Sequence, residues 1–193
     1  MDSLPMSLTP PVYPRRRQQL IATAIGGAAL ALIIVSLVAK YAGVRAGLVD
    51  AGTWDLYIPL TQPNVMMATL VLASIAAQWA SYSIAHDQRH HTFWAIGITL
   101  VLGLAFLNQS WFLISLVGLE NGVDPVASSF YAVAGAITAL VAGAVLYTLL
   151  MGFRALGGNF NSRYPEGLAA SAMFWHITTG AYALVWYAVY ITK

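Results

Sequence analysis

Five long apolar runs divide almost the whole chain of 193 residues and restrict the folds open to it. They cover approximately residues 19–41, 64–85, 93–118, 128–153 and 168–191. Each run reaches or exceeds the about 20 residues that a helix needs to cross roughly 30 Å of hydrocarbon. A membrane barrel would need short alternating strands, which these unbroken runs do not form. The sequence therefore predicts an all-α polytopic membrane bundle with five transmembrane helices.

Composition indicates the same class, because only 8% of the residues are charged and 59% are hydrophobic. Soluble domains carry roughly 25% charged residues. We expect one transmembrane domain over residues 19–193 behind a mobile cytoplasmic tail at 1–18, with no room for a soluble domain. The longest expected loop is 42–63, where Trp54 and Tyr57 are predicted to rest at the headgroup level. Four prolines deny the tail regular hydrogen bonds: Pro5, Pro10, Pro11 and Pro14.

Lysine and arginine set the expected orientation, because they collect on the cytoplasmic side of membrane proteins. An inner N-terminus places six of them inside and three outside, so the predicted topology is N-in, C-out. The first run, of about 22 residues, is too long for a typical signal-peptide core, which favours a retained helix. The inner set is Arg15, Arg16, Arg17, Arg89, Arg154 and Arg163, and the outer set is Lys40, Arg45 and Lys193. The loop 119–127 holds Glu120 and Asp124 but no lysine or arginine, as an outer loop should.

The cysteine count and net charge exclude several functions. The chain has no cysteine, so disulfides, thiolate metal sites and iron–sulfur clusters are excluded. Its net charge of +2 owes much to the arginines at 15–17, so no basic face is predicted for nucleic acid.

Small residues in the fourth run predict a surface for close helix packing. Gly135, Ala139 and Gly143 are spaced four apart, so they share one helix face on which another backbone can approach. The partner helix could belong to the same bundle or to another subunit, and the sequence favours the bundle. The first run has a similar patch at residues 26–31, for which the bundle is less favoured.

Polar residues inside the runs are mostly neutral. Gln78, Asn108 and Gln109 are candidates for hydrogen bonds between helices, worth about 0.6 kcal/mol each. Asn108 and Gln109 are the best candidates for a hydrated pocket. Because adjacent helical residues point about 100° apart, we do not expect both to serve one site.

Histidines occur at one inner turn and once within the fifth run. His86 and His90 would share a face if their turn were helical, which is metal-like spacing, although His86, His90 and His91 also suit a solvated membrane boundary. His176 lies roughly 12 Å into the fifth helix, beside Trp175. A bis-histidine haem would need a second histidine at that depth in another helix, and the chain has none. We therefore expect His176 to bond to a neighbouring helix.

Motifs in the second to fifth runs resemble successive helices of one membrane-protein family. Phe174-Trp175-His176 and the aromatic end of the chain resemble that family's last helix, and the segment 128–132 with Gly135 and Gly143 resembles the helix before it. Pro63-Asn64, residues 70–74, Gly103 and Gln109 resemble its second and third helices, in the same order along the chain. The family is subunit III of the haem-copper (cytochrome c) oxidases in its five-helix bacterial form.

The chain departs from the family at ionisable positions. The family usually has a carboxylate in the helix matching the first run, whereas no acid occurs here between Asp2 and Asp50. The stretch 136–140, which matches the place of two histidines common in its fourth helix, contains no histidine. Thr179 stands where the last helix usually has an acid.

The resemblance implies a non-catalytic integral-membrane subunit of a terminal oxidase in aerobic respiration. Haem and copper would lie in the partner catalytic subunit I, and this chain would bind no cofactor or metal and have no catalytic residue. Phospholipids, subunit I and other respiratory subunits would be its partners in a bacterial or archaeal inner membrane. The complex would couple electron transport from cytochrome c or quinol to proton pumping.

Two other functions remain open. A small membrane transporter or channel subunit would need a polar path across the bilayer, and the polar residues form no obvious one. A haem- or quinone-linked membrane anchor would need paired buried histidines.

Overall fold

A computed structural model describes residues 17–52, 58–118, 125–162 and 164–192 of the chain. These ranges contain five α-helices and no strand. All five helices are long and apolar enough to cross a membrane, which confirms the all-α prediction, and the N-in, C-out orientation stays a prediction. The helices are α1 (Gln18–Asp50), α2 (Thr61–Ala85), α3 (Arg89–Val117), α4 (Pro125–Leu156) and α5 (Glu166–Val185), and a π-helical segment (Trp186–Ile191) continues α5.

The helix ends differ from the apolar runs mainly on the side predicted to be outer. Helix α1 continues to Asp50 and α2 begins at Thr61, so much of the expected loop 42–63 is helical. Gly43 and Gly47 are poor helix formers, so tertiary contacts hold this extension: Leu48 packs against the core, and Arg45 donates a hydrogen bond to Thr192 Oγ1. Several expectations lie outside the described residues, namely those for the tail at 1–16, Trp54, Tyr57, Glu120, Asp124, Arg163 and Lys193.

The helices form an incomplete ring around α5. Along the described chain α1 packs on α4, α4 on α3 and α3 on α2, whereas no Cα atom of α1 lies within 8 Å of one in α2. Helix α5 lies against α1, α2 and α4. Consequently one face of α5 is left open between α1 and α2.

Loops and caps join the helices at the end of the bundle predicted to be cytoplasmic. Asp87 has a φ of 56°, a left-handed conformation that Asp tolerates, and its Oδ1 accepts a hydrogen bond of 2.8 Å from the Ser162 amide. Glu166 Oε1 accepts a hydrogen bond of 2.9 Å from the amide of Gln19. Glu166 thus satisfies a free N–H group of the first turn of α1 and ties α1 to α5.

Side-chain donors on α5 and its π-helical extension bind α2 along much of its length. Tyr182 Oη donates to the Pro63 carbonyl at 3.1 Å, and Trp186 Nε1 donates to Asn64 Oδ1 at 2.7 Å. Thr179 donates to the Leu70 carbonyl at 3.3 Å. Because water is absent from the hydrocarbon core, such bonds between helices help to fix how α5 sits against α2.

Candidate functional site

Trp175 anchors a buried hydrogen-bond network between α5 and α4. Its side chain is 0% exposed, and its Nε1 donates to Thr148 Oγ1 at 2.8 Å. The Thr148 hydroxyl also lies 2.9 Å from Ser171 Oγ. The N–H group, the single polar group of the indole, therefore has a hydrogen-bond partner inside the bundle, as a buried tryptophan usually does. The sequence analysis did not single out Thr148 or Ser171, because an isolated hydroxyl in an apolar run does not show which way it faces.

The Trp175 indole packs against bare backbone on α3. A Cβ atom added at Gly103 would lie 2.9 Å from Trp175 Cη2 and 2.5 Å from Val145 Cγ2. Both distances are shorter than real contacts of a Cβ atom. Gly103 thus provides the space that the indole occupies.

His176 points away from this network and towards α2. Its Nδ1 is hydrogen-bonded to Ser74 Oγ, and its Nε2 lies 3.2 Å from Gln78 Oε1. Ser74 is buried, whereas His176 and Gln78 are exposed on the outer surface of the bundle. Adjacent residues of α5 therefore connect it to two different helices. The role of Ser74 could not be predicted from the sequence, since only the packing of α2 on α5 brings it to His176.

The two polar candidates on α3 do not share a site. The Gln109 amide lies within 3.4 Å of the Thr69 hydroxyl on α2, whereas Asn108 is exposed on the outer face of α3. Their separation follows from the 100° turn between adjacent helical residues.

The small-residue stripe of α4 is exposed. No heavy atom of the described part of the chain would lie within 4 Å of a Cβ at Gly135 or Gly143, so the favoured interpretation of contacts within the bundle is wrong for these two glycines. Ala139 is also exposed. The physical reason is that the opposite face of this part of α4, which carries Ile137 and Val141, is the one buried in the bundle. Contact with another subunit stays a prediction.

A shallow apolar groove lies between this stripe and α1. It has a volume of about 230 Å³. Its lining residues are Leu30, Ile33, Ile34, Ala136, Ala139, Leu140, Gly143 and Phe174. In contrast, Gly27 on α1 makes a close contact with α5, since a Cβ there would lie 2.6 Å from Ile177 Cδ1.

The histidines at the turn between α2 and α3 do not form the face that their spacing suggested. Helix α2 ends at Ala85 and α3 begins at Arg89, so the turn is not helical between His86 and His90. His86 Nδ1 bonds to the Tyr82 carbonyl, and Trp94 Nε1 donates to His90 Nε2 at 3.1 Å. Within the described ranges, no three His, Asp or Glu side chains are placed to hold a metal ion.

These contacts define a class of protein: a multi-pass helical membrane bundle whose helices are joined by side-chain hydrogen bonds. Comparison with known proteins makes the class more specific. The chain is 26% identical to "Cytochrome c oxidase subunit 3" of Bos mutus grunniens over 136 residues, which are 69% of this chain and 50% of that protein. It is 25% identical to the protein of the same name from Ovis aries over 134 residues, 68% of this chain and 51% of that protein.

The chain thus shows a divergent resemblance to cytochrome c oxidase subunit 3, as its motifs indicated. It spans about half the length of the curated relatives it matches. No family model matches the chain.

Proposed function

We propose that this chain is a non-catalytic integral-membrane subunit of a haem-copper terminal oxidase, similar in role to subunit III. The observation that carries the proposal is the resemblance to cytochrome c oxidase subunit 3 over 136 residues, or 69% of the chain. The five-helix bundle supports it, because side-chain hydrogen bonds join its helices to one another, as a structural role requires. In this role the chain supports assembly and stability of the catalytic subunit.

In this proposal the redox chemistry takes place in partner subunits. Haem and copper belong to the catalytic subunit, and no electrons pass through this chain. His176 serves as a hydrogen-bonding group between α5 and α2, because both of its ring nitrogens bond to side chains of α2. The partners are subunit I and other respiratory subunits of a bacterial or archaeal inner membrane.

Phospholipid is proposed to bind along the boundary of α1 and α4. The apolar groove beside Ala139 and Gly143 suits an acyl chain. A larger cavity of about 920 Å³ lies at the predicted cytoplasmic ends of α1, α4 and α5 and includes Arg17 and Arg154 in its lining. Two guanidinium groups in one cavity favour a headgroup phosphate.

Purification of the chain from its native membrane in mild detergent tests the oxidase role. We expect it to co-purify with a large subunit that shows the absorption spectrum of haem. The proposal fails if the chain is isolated alone and transports a solute or conducts ions in liposomes. A b-type haem spectrum from the isolated chain would instead support the membrane anchor.

A bulky side chain in the groove tests the lipid site separately. Gly143→Leu places a side chain in the groove, and Gly97→Leu is its control, because Gly97 is an equally open glycine on α3. We expect mass spectrometry to find less co-purified phospholipid with Gly143→Leu only. An equal lipid content in both variants would refute the lipid site. If Gly143→Leu or Gly135→Leu abolishes co-purification of the oxidase, the α4 stripe is a subunit contact.

A further inference from the structure

The cavity of about 920 Å³ at the predicted cytoplasmic end of the bundle carries charges of both signs. It lies where α1 begins, α4 ends and α5 begins, and its volume suits a small-molecule ligand. The charged side chains among its described lining residues are Arg17, Arg154 and Glu166. A bound phosphate would account for the two guanidinium groups but not for the carboxylate.

Arg154 is held at the cavity wall by packing. Its guanidinium group lies 5.2 Å from the centre of the Phe160 ring. That ring is buried and fixed against α5, since a Cβ atom added at Gly167 would lie 2.6 Å from Phe160 Cζ. An aromatic face orients a cation without neutralising its charge. Neither Arg154 nor Arg17 forms an ion pair with a described residue, so both charges are available to a ligand in the cavity.

Glu166 is held in place by the start of α1. Its Oε1 accepts hydrogen bonds from the amides of Gln19 at 2.9 Å and Leu20 at 3.4 Å. Its Oε2 makes no hydrogen bond with a described residue. Because both oxygens of a carboxylate accept hydrogen bonds, Oε2 can receive a donor from a ligand. The negative charge also attracts a cationic ligand group and repels a second anionic one.

The surface beside the cavity is apolar. Both α1 and α4 are long and apolar enough to cross a membrane. Large side chains on their turns next to the cavity are each more than half exposed: Ile21, Ile25, Leu150 and Phe153. A soluble phosphate compound matches only the polar part of this surface. A phospholipid matches both parts, with its headgroup in the cavity and its acyl chains along α1 and α4.

We infer that the cavity selects a zwitterionic phospholipid whose headgroup joins one phosphate to a primary ammonium group. The phosphate accepts hydrogen bonds from Arg17 and Arg154, and the ammonium group donates to Glu166 Oε2. A purely anionic headgroup brings no cation to the carboxylate, and a quaternary ammonium group has no N–H to donate. This inference rests on the phospholipid site of the proposed function and assigns its headgroup.

Lipid competition tests the headgroup. The full chain, purified in mild detergent from its native membrane, is mixed with equal amounts of phosphatidylethanolamine, phosphatidylglycerol and phosphatidylcholine that carry the same acyl chains. Native mass spectrometry then measures which lipid stays bound. We expect phosphatidylethanolamine to be retained above the other two. Equal retention of the three lipids, or preference for phosphatidylglycerol or phosphatidylcholine, would overturn the inference.

Glu166→Gln tests the role of the carboxylate, because it keeps an oxygen acceptor for the Gln19 amide and removes the charge. The ratio of bound phosphatidylethanolamine to phosphatidylglycerol should fall about twofold to fivefold, the effect of one exposed ion pair. Asp50→Asn is the matched control, since it removes the same charge at the opposite, exposed end of α1 and should leave the ratio unchanged. An unchanged ratio in Glu166→Gln contradicts the inference.

Arg154→Gln separates selection of the headgroup from a general loss of structure. It should lower retention of phosphatidylethanolamine and phosphatidylglycerol together, because both carry the phosphate that Arg154 binds. A distorted cavity would likewise lower both lipids, whereas Glu166→Gln is expected to change their ratio. Loss of both lipids in equal proportion in Glu166→Gln would therefore refute the contact between Glu166 and the ammonium group.

The outcomes distinguish this inference from the proposed function. If phosphatidylglycerol is retained in preference, phospholipid binding holds and the headgroup assignment is wrong. If no phospholipid is retained, both are wrong, and co-purification of a haem-containing subunit still decides the oxidase role. A chain that is isolated without such a subunit but selects phosphatidylethanolamine supports the headgroup assignment and refutes the oxidase role.

Discussion

Gly103 on α3 lies so close to Trp175 on α5 that a single added methyl group would come within 2.9 Å of the indole Cη2. The indole is completely buried and is fixed on its polar side by Thr148. It therefore cannot move aside without losing that hydrogen bond. This contact fixes the distance between α3 and α5 at the centre of the bundle.

Gly103→Ala should destabilise the protein by about 1–3 kcal/mol, because the methyl group overpacks the core against Trp175 and Val145. For a chain of this size the thermal midpoint would fall by roughly 3–10 °C in detergent, measured by circular dichroism. Gly97→Ala on the same helix is the control, since its Cβ would meet nothing within 4 Å. Equal midpoints for the two variants would show that the contact does not constrain the core.

Trp175→Phe keeps an aromatic ring but removes the donor to Thr148 Oγ1. Loss of a hydrogen bond and of core volume should cost about 1–3 kcal/mol and lower the thermal midpoint. Trp111→Phe is the matched control, because Trp111 is 74% exposed on α3. The prediction is wrong if Trp111→Phe destabilises the protein as much as Trp175→Phe does.

Glu166→Ala should loosen the start of α1, because Glu166 Oε1 accepts hydrogen bonds from the amides of Gln19 and Leu20. Loss of a helix cap costs about 0.5–2 kcal/mol. Hydrogen exchange at those two amides should become faster, whereas exchange in the middle of α1 should not change. Glu166→Gln, which keeps an oxygen acceptor, should have a smaller effect. Unchanged exchange at Gln19 would show that the cap contributes nothing.

The absence of native cysteine allows the predicted N-in, C-out topology to be tested with single cysteines. Gln88→Cys lies in the turn between α2 and α3, and Ala51→Cys follows α1, and both positions are exposed. In whole cells an impermeant maleimide should label residue 51 and leave residue 88 unlabelled until the membrane is opened. The reverse pattern would invert the topology.

The five spans could be predicted from the sequence because a membrane imposes a length and an apolar composition on each helix, and neither depends on neighbouring helices. The motif around Trp175 and His176 indicated the resemblance to subunit III for a similar reason, since it is local in the chain. The extension of α1 to Asp50 was missed, because helix can continue beyond the hydrocarbon with no apolar signal.

Which face each helix turns inward was decided by the tertiary structure. Gly103 and Gly135 are both small residues in apolar runs, yet Gly103 packs against Trp175 and Gly135 faces outward. In a membrane both faces of a helix can be apolar, so hydrophobic periodicity does not distinguish the core from the lipid surface. Ser74, Thr148 and Ser171 likewise became partners of His176 and Trp175 only through helix packing, because hydrogen bonds between helices depend on distances that no single run contains.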